Sequence, residues 1–439
     1  MTVRLWDVNV GGSRRIPREQ NYSVLFIVYW NKGHRIASCN SDQTIRIWDM
    51  DTGDCLHTLR GHTNVVNTVA FSHQGDQIAS GGMDGELRLW SVETGSCQRT
   101  LKVLDEHDNG IFSVSYLRQG NLVASAGADK KIRLWDAHTG ECRKTLAGHD
   151  KQIGIIACSP QGNQIASCGD EDTIRLWDIK TETTDIGEDP RTLDGHIGRV
   201  WTVEYSPKGD LIASAGDDGT IRLWDAITGK CNHTLDHTNY VSLVTFSPDG
   251  YQVASGGRDM SVWLWDTIAG HCTHTLEGHS REVKSIEYSP HGEMIATASD
   301  DKSVRLWDVK SGQCQLVIED FHGAVNSIHW AEESGVLYLL TGCQDAVRKW
   351  ELKRDDGLYY VRLCWSSMNN TLAVTDAMIR DVQGLSPFND RLMRQRGAVD
   401  GPIPLSRRSS GTSEDSSSTV TASEEHTEQQ VEVAKDPNY

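Results

Sequence analysis

Residues 62–90, HTNVVNTVAFSHQGDQIASGGMDGELRLW, decide the architecture of this chain. An apolar run ending at Phe71 is followed by the turn Ser72-His73-Gln74-Gly75-Asp76 and the short run Gln77-Ile78-Ala79-Ser80. A second turn, Gly81-Gly82-Met83-Asp84-Gly85, leads into Glu86-Leu87-Arg88-Leu89-Trp90, and past Thr94-Gly95 comes Cys97-Gln98-Arg99-Thr100-Leu101. Four short runs separated by Gly, Asp and Ser clusters read as four antiparallel strands. Helical spacing over a window of about 11 residues is absent from the repeats, which excludes a helical solenoid.

Working outward, the tetrapeptide Arg-Leu-Trp-Asp and its variants return at Trp6, Trp48, Trp90, Trp135, Trp177, Trp224, Trp265, Trp307 and Trp350. The successive gaps are 42, 42, 45, 42, 47, 41, 42 and 43 residues. Such a period means one supersecondary unit copied many times, each copy unable to bury its apolar face alone. Alternation along the third strand puts Leu87 and Leu89 on one face and Arg88 and Trp90 on the other, so the strand needs cover on both sides. Sheets stacked face to face around an axis supply it, which makes the expected fold an all-β, single β-propeller of four-stranded antiparallel blades.

Polar residues keep the same period. His62, Ser80, Asp84 and Trp90 have counterparts in His107, Ser125, Asp129 and Trp135, and in His196, Ser214, Asp218 and Trp224. The pattern returns as His237, Ser255, Asp259 and Trp265, then as His279, Thr297, Asp301 and Trp307. Buried polar groups are costly unless paired, and imidazole can donate from one nitrogen while accepting at the other. One Trp–hydroxyl–His–Asp network inside most blades is therefore expected. Ser, His and Asp are also the residue types of a hydrolase triad, but a nucleophile is needed once per site and not once per repeat.

These residues resemble the WD-repeat family: Gly61-His62, Gly148-His149, Gly195-His196 and Gly278-His279 carry its Gly-His element, followed by the turn Asp and the Trp-Asp pair. The resemblance covers residues 1–366 and implies a rigid propeller serving as an interaction platform, normally without catalysis. Departures occur at Glu171, which stands in the turn-Asp position, and at Gln20, where blade 1 should have His. Ser91 and Glu351 replace the Asp after the repeat Trp, and the last set reads His322, Thr341, Asp345 and Trp350. Eight complete sets of inner strands predict eight blades, with seven as the alternative; the eighth outer strand is placed at residues 359–364. Residues 2–8 form an orphan third-strand copy, expected either to join the ring closure beside 371–379 or to be the stump of an upstream repeat.

Of 439 residues, 43 are basic and 61 acidic, giving a net charge of −18. That balance argues against a nucleic-acid partner, which would require a basic footprint. Six of the 11 cysteines (Cys55, Cys97, Cys142, Cys231, Cys272, Cys314) share one repeat slot, a packing choice and not a metal set. With no apolar leader or long apolar run, reduced cysteines fit a cytoplasmic or nuclear protein and no membrane. Residues 367–400 form a C-terminal extension, in which 386–397 begin Ser-Pro and end in Gly, predicting a short helix docked through Phe388 and Leu392. The Ser/Thr/Glu-rich stretch 401–439 is expected to be a disordered tail. In it Arg407-Arg408-Ser409-Ser410 and Thr412-Ser413-Glu414-Asp415 resemble basophilic and acidophilic kinase sites, alongside the reading of a plain solvated tail.

In the WD-repeat family partners dock on the face carrying the loops from one blade's outer strand to the next blade's inner strand. Two slots should point there: the fifth residue after the loop His (Asn67, Phe112, Gly154, Trp201, Ser242, Lys284) and the residue before the turn Asp (Met83, Ala128, Asp170, Asp217, Arg258, Asp300). Phe112 and Trp201 are aromatic anchor candidates. Asp170, Asp217 and Asp300 suggest an acidic sector for a basic peptide, and Arg258 and Lys284 complete the candidate set. Trp263 stands where other blades have Arg; it either packs inward or leaves an apolar spot outside.

The expected function is a non-enzymatic scaffold that binds proteins or peptides on a propeller face, with no catalytic set, metal or cofactor. Residues 383–398 are similar to segments following WD-repeat arrays in fungal NACHT-type (STAND) signalling proteins, so a sensor array of such a protein is one alternative. No phosphate loop of the ATPase type occurs, and an array opening mid-repeat at Met1 suits a stand-alone relative or a truncated chain. A substrate receptor of a ubiquitin ligase is a further alternative, and a propeller enzyme of the quinoprotein kind lacks any cofactor fingerprint here.

Overall fold

The computed structural model describes residues 23–367, apart from 103–109, 119–120, 180–189, 320, 345 and 356–357. The orphan copy at 2–8, Gln20, His107, Asp345, the strand at 371–379, the helix at 386–397 and the tail lie outside the described residues. Eight four-stranded antiparallel sheets follow one another along the chain: 24–59, 66–102, 111–147, 153–193, 200–236, 241–276, 283–318 and 325–366. They are blades 1 to 8. In blade 1 the order from the axis outward is Val24–Trp30, Arg35–Asn40, Ile45–Asp49 and Cys55–Leu59.

The alternation of the third strand explains the stacking. Leu87 and Leu89 of blade 2 pack with Ile111, Val114, Tyr116 and Trp135 of blade 3, while Trp90 packs back on Ile45 and Ile47 of blade 1. Each repeat Trp thus fills the gap toward the preceding blade and each Leu pair the gap toward the following one. Trp263 packs inward as well, stacked on Trp265 with centroids 5.5 Å apart.

Outer strands lace neighbouring blades through one recurring slot. His57 Nε2 meets the Glu93 carbonyl at 2.9 Å, Arg99 donates to the His138 carbonyl at 2.5 Å, and His233 Nε2 meets the Ile268 carbonyl at 3.1 Å. At the closure Trp365 of blade 8 takes that slot and donates to the Met50 carbonyl of blade 1 at 2.7 Å. Its ring lies over Gly53, which has φ +78; a Cβ there would meet the indole at 2.7 Å. Each described blade draws its four strands from one stretch of sequence, so blades 8 and 1 meet side chain to side chain, without a shared strand. Asn326 Nδ2 donates to the Val24 carbonyl at 2.7 Å, and Trp48 and Met50 share a core with Leu340 and Val347.

Candidate functional site

Inside the blades the polar networks are laid out by the turns that bracket each repeat. In blade 2, Trp90 Nε1 donates to Ser80 Oγ at 2.8 Å, Ser80 Oγ lies 2.7 Å from His62 Nε2, and His62 Nδ1 lies 2.9 Å from Asp84. The arrangement that gives every proton an acceptor has the hydroxyl donating to Nε2 and Nδ1–H donating to the carboxylate. Blade 5 repeats it through Trp224, Ser214, His196 and Asp218, and blade 7 through Trp307, Thr297, His279 and Asp301. In blade 4 Glu171 takes the acid's place and its carboxylate meets His149 Nδ1. Burial pulls the His149 and His196 imidazoles below their usual value despite the adjacent carboxylates, in keeping with neutral rings. In blade 3, Trp135 donates to Ser125 at 2.8 Å and Arg133 pairs with Asp129.

Two blades depart. In blade 6, His237 Nδ1 lies 3.2 Å from Asp259, yet neither ring nitrogen has an aligned hydrogen bond. Asp259 accepts instead from Thr238 and Ser261, and Ser255 serves Trp265 alone. The loop Leu235-Asp236-His237 lacks the glycine that precedes His196 and His279, and Trp263 sits 4.8 Å from the imidazole. In blade 8 the position four before the inner strand's first residue, held by His in blades 2–7, is Phe321, buried edge-on against Trp350 at 5.7 Å. His322, expected in the network, is exposed. Two extra residues in the blade 8 hairpin and one fewer in the turn that follows displace the spacing by one, and an aromatic edge fills the volume that elsewhere holds the imidazole.

The functional candidates lie on the face formed by the interblade loops and the turns between second and third strands. Trp201 Nε1 donates to Asp217 Oδ1 at 2.6 Å, tying the two slots of blade 5 together. The Arg199 guanidinium covers the Trp201 ring at 3.7 Å and its Nε sits 3.1 Å from Asp170 of blade 4. On the other side Trp201 stacks on Tyr240 of blade 6 at 5.9 Å, and Arg258 lies 5.8 Å from the Tyr240 ring. Tyr240 Oη donates to Glu282 of blade 7 at 3.4 Å; Lys284 holds Glu282 at 2.8 Å and Asp300 at 3.7 Å. The result is one continuous arc over blades 4–7 containing Asp170, Trp201, Asp217, Arg258, Lys284 and Asp300.

Phe112 is not brought into this arc. It lies in blade 3 beside Gly110, with Met83 of blade 2 on the other side, as a smaller separate apolar spot. Asp170 and Asp300 face the cations Arg199 and Lys284, whereas Asp217, the third member of the expected acidic sector, has no ion pair among the described residues. Arg199, Tyr240 and Glu282 escaped the sequence reading. They occupy a third slot, the residue before the inner strand, whose carbonyl accepts from the backbone N–H of the second slot (Asp217 to Arg199, 2.9 Å; Asp300 to Glu282, 3.1 Å). Its variability (Val65, Gly110, Gln152, Arg199, Tyr240, Glu282) was the available signal.

A second polar region lines the central channel. At the same level of four successive inner strands stand Glu204, Thr245, Glu287 and His329, against Val28, Ala70, Ser115 and Ala157 on the opposite side. Glu287 accepts from the Trp330 N–H at 2.9 Å and meets His329 Nδ1 at 3.0 Å. Thr245 donates to Glu204 at 3.5 Å, and burial pushes the Glu204 carboxyl up to about 8. At the closure, His34, Asp51 and Glu333 could together hold a metal ion. The Lys349 ammonium, 3.2 Å from Glu333 and 3.8 Å from Asp51, already supplies positive charge there.

Fold, repeat network and face together define a β-propeller that carries WD repeats. The WD domain, G-beta repeat family matches residues 17–49, 53–91, 95–136 and 140–178. The Nucleolar protein 10-like, N-terminal domain family matches residues 176–349. Among solved structures, the computationally designed Ika8 protein is similar with a TM-score of 0.65 and 24% identity. The match covers 76% of this chain and 98% of the designed one, a likeness of fold alone. No curated protein sequence matches the chain.

Proposed function

We infer that this protein is a non-enzymatic interaction scaffold that captures a protein or peptide partner on the arc over blades 4–7. The observation that carries the reading is the Trp201–Tyr240 pair, flanked by Asp217 and Arg258, on a face where repeats that agree elsewhere diverge. Partly exposed aromatics held rigid by neighbours supply contact area at small entropic cost, which is how interface hot spots are built. Asp217 and Arg258 have no ion-pair partner among the described residues, leaving one charge of each sign to select a ligand. The polar networks repeat blade after blade and are read as structural, so no catalytic role is assigned to them.

The cysteines are free, in keeping with a reducing compartment such as the cytoplasm or nucleus. Among the described residues no helix is long and apolar enough to cross a membrane. Affinity capture from native cells followed by mass spectrometry tests the assignment. Trp201→Ala with Tyr240→Ala should remove reproducible protein partners while leaving the unfolding free energy within about 1 kcal/mol of the parent. Unchanged capture by the double variant would sink the assignment, as would turnover of a small molecule by the purified protein.

A further inference from the structure

We propose that the arc is covered by the chain's own arginine-rich segment 391–408, so that a partner must displace it. The proposal rests on the arc being the docking face and names its resident occupant.

Three observations carry it. First, the outer strand of blade 8, Leu358–Ser366, ends on the face that carries the arc. The chain leaves the ring there: Ser367 N donates to the Val347 carbonyl at 2.9 Å and Val347 N to Ser367 Oγ at 2.9 Å, beside the turn between second and third strands.

Second, the charges match. Over blades 4–6 this face exposes Asp150, Asp172, Asp194, Asp217 and Asp236, against Lys151 and Arg258. Among the described residues, Asp172, Asp194, Asp217 and Asp236 have no cation within ion-pair distance. Segment 391–408 holds Arg391, Arg394, Arg396, Arg407 and Arg408 with only Asp400 opposing, whereas the stretch after it is acidic. Guanidinium groups pair with carboxylates in a fork and stack on aromatic rings, and the arc already shows this in Arg199 on Trp201.

Third, the length suffices. Blades stacked roughly 10 Å apart give an eight-membered ring a mid-blade diameter of about 25 Å. The residues from 368 to 391 span about 80 Å when extended and roughly 27 Å as a flexible coil. Arg391 therefore reaches blades 5 and 6 from blade 8, and tethering keeps the local concentration of the segment high.

Hydrogen–deuterium exchange on the full chain tests the proposal. The loops at 194–201 and 236–242 should exchange about tenfold more slowly in the parent than in the variant Arg391→Glu, Arg394→Glu, Arg396→Glu. Reversal on the face, Asp217→Lys with Asp236→Lys, should lose the same protection, and combining both sets should restore part of it. A synthetic peptide of residues 388–410 added to the tail-reversed chain should protect the same loops. Equal exchange in the parent and the tail-reversed chain overturns the proposal. So does protection that fades on dilution of the parent, which would make the occupant a second copy. Partner capture that depends on Trp201 and Tyr240 without any tail protection would remove the tail and leave the docking face. Tail protection with capture indifferent to those aromatics would do the reverse.

Discussion

The indole of Trp365 donates to the carbonyl of Met50 at 2.7 Å across 315 residues of sequence, and so ties the last blade to the first. Elsewhere a flexible His or Arg does this work between blades already joined by the chain. Among the described residues no strand is shared between blades 8 and 1, and their contacts there are made by side chains such as Trp365, Asn326 and the core around Met50.

Trp365→Ala should cost about 2–3 kcal/mol, less than a fully buried tryptophan because the ring is half-buried. Trp365→Phe should cost about 1 kcal/mol, retaining ring contact while orphaning the carbonyl. Urea unfolding measures both; indifference to Trp365→Ala would mean the seam is held by other contacts.

Blades 5 and 6 predict opposite sensitivities at one repeat position. His196→Leu removes the aligned hydrogen bonds to Ser214 and Asp218 and leaves the buried Ser214 hydroxyl proton without its acceptor, and should cost about 2–4 kcal/mol. His237→Leu should cost under about 1 kcal/mol, because neither ring nitrogen has an aligned hydrogen bond to lose. Equal losses in parallel denaturation curves would show that His237 is bonded as in the other blades.

Acid should destabilise the ring in two stages. Burial holds His149, His196 and His237 below the usual value, so the unfolded chain takes protons first and stability falls as pH drops through about 6.5. Asp136 is lowered to about 2 by the Thr139 N–H it accepts. Asp218 and Glu171 are lowered because their hydrogen bonds and the nearby charges outweigh burial. The stability these carboxylates add is present above about pH 4 and lost below it. His329 has the opposite sign: burial pulls it down, but the Glu287 charge and hydrogen bond outweigh this and raise it. Its contribution disappears as pH rises, yet it is one ring against three. Thermal melts should give a lower Tm at pH 5 than at pH 7 and a steeper fall below pH 4; a higher Tm at pH 5 would contradict this.

Glu204 has the reverse dependence. Its carboxyl, raised by burial to about 8, is protonated in the folded channel and ionised in the unfolded chain above about pH 4.3. The folded state therefore holds the extra proton, and stability is lost as pH rises toward 8. Glu204→Gln should raise stability at pH 8.5 by on the order of 1–2 kcal/mol, allowing for water in the channel, and change little at pH 5. A destabilised Glu204→Gln at pH 8.5 would show that the carboxylate is charged and needed.

Much of this molecule is legible in its sequence. The period of the Trp-Asp copies, the Leu/Trp alternation and the spacing of His, Ser and Asp are local properties repeated many times, and they correspond to blades, interblade cores and networks. The two surface slots were legible for the same reason, since divergence stands out against faithful repetition. Where spacing slipped, reading failed. Two extra residues in the blade 8 hairpin, offset by one fewer in the next turn, gave His322 a place that Phe321 fills, and one missing glycine before His237 left an imidazole without aligned partners.

Sequence alone determined the blade, because the blade's forces act among residues within one repeat: alternation, turn chemistry and the need to pair buried polar groups. Tertiary structure alone decided how Asp170, Arg199, Trp201, Tyr240 and Glu282 meet, and that Trp365 closes the ring on Met50. Those contacts join different blades, and no periodicity records which neighbour a side chain will face. Ion pairing and ring stacking act over a few ångströms, so residues some forty positions apart become one surface only when the ring brings their loops together.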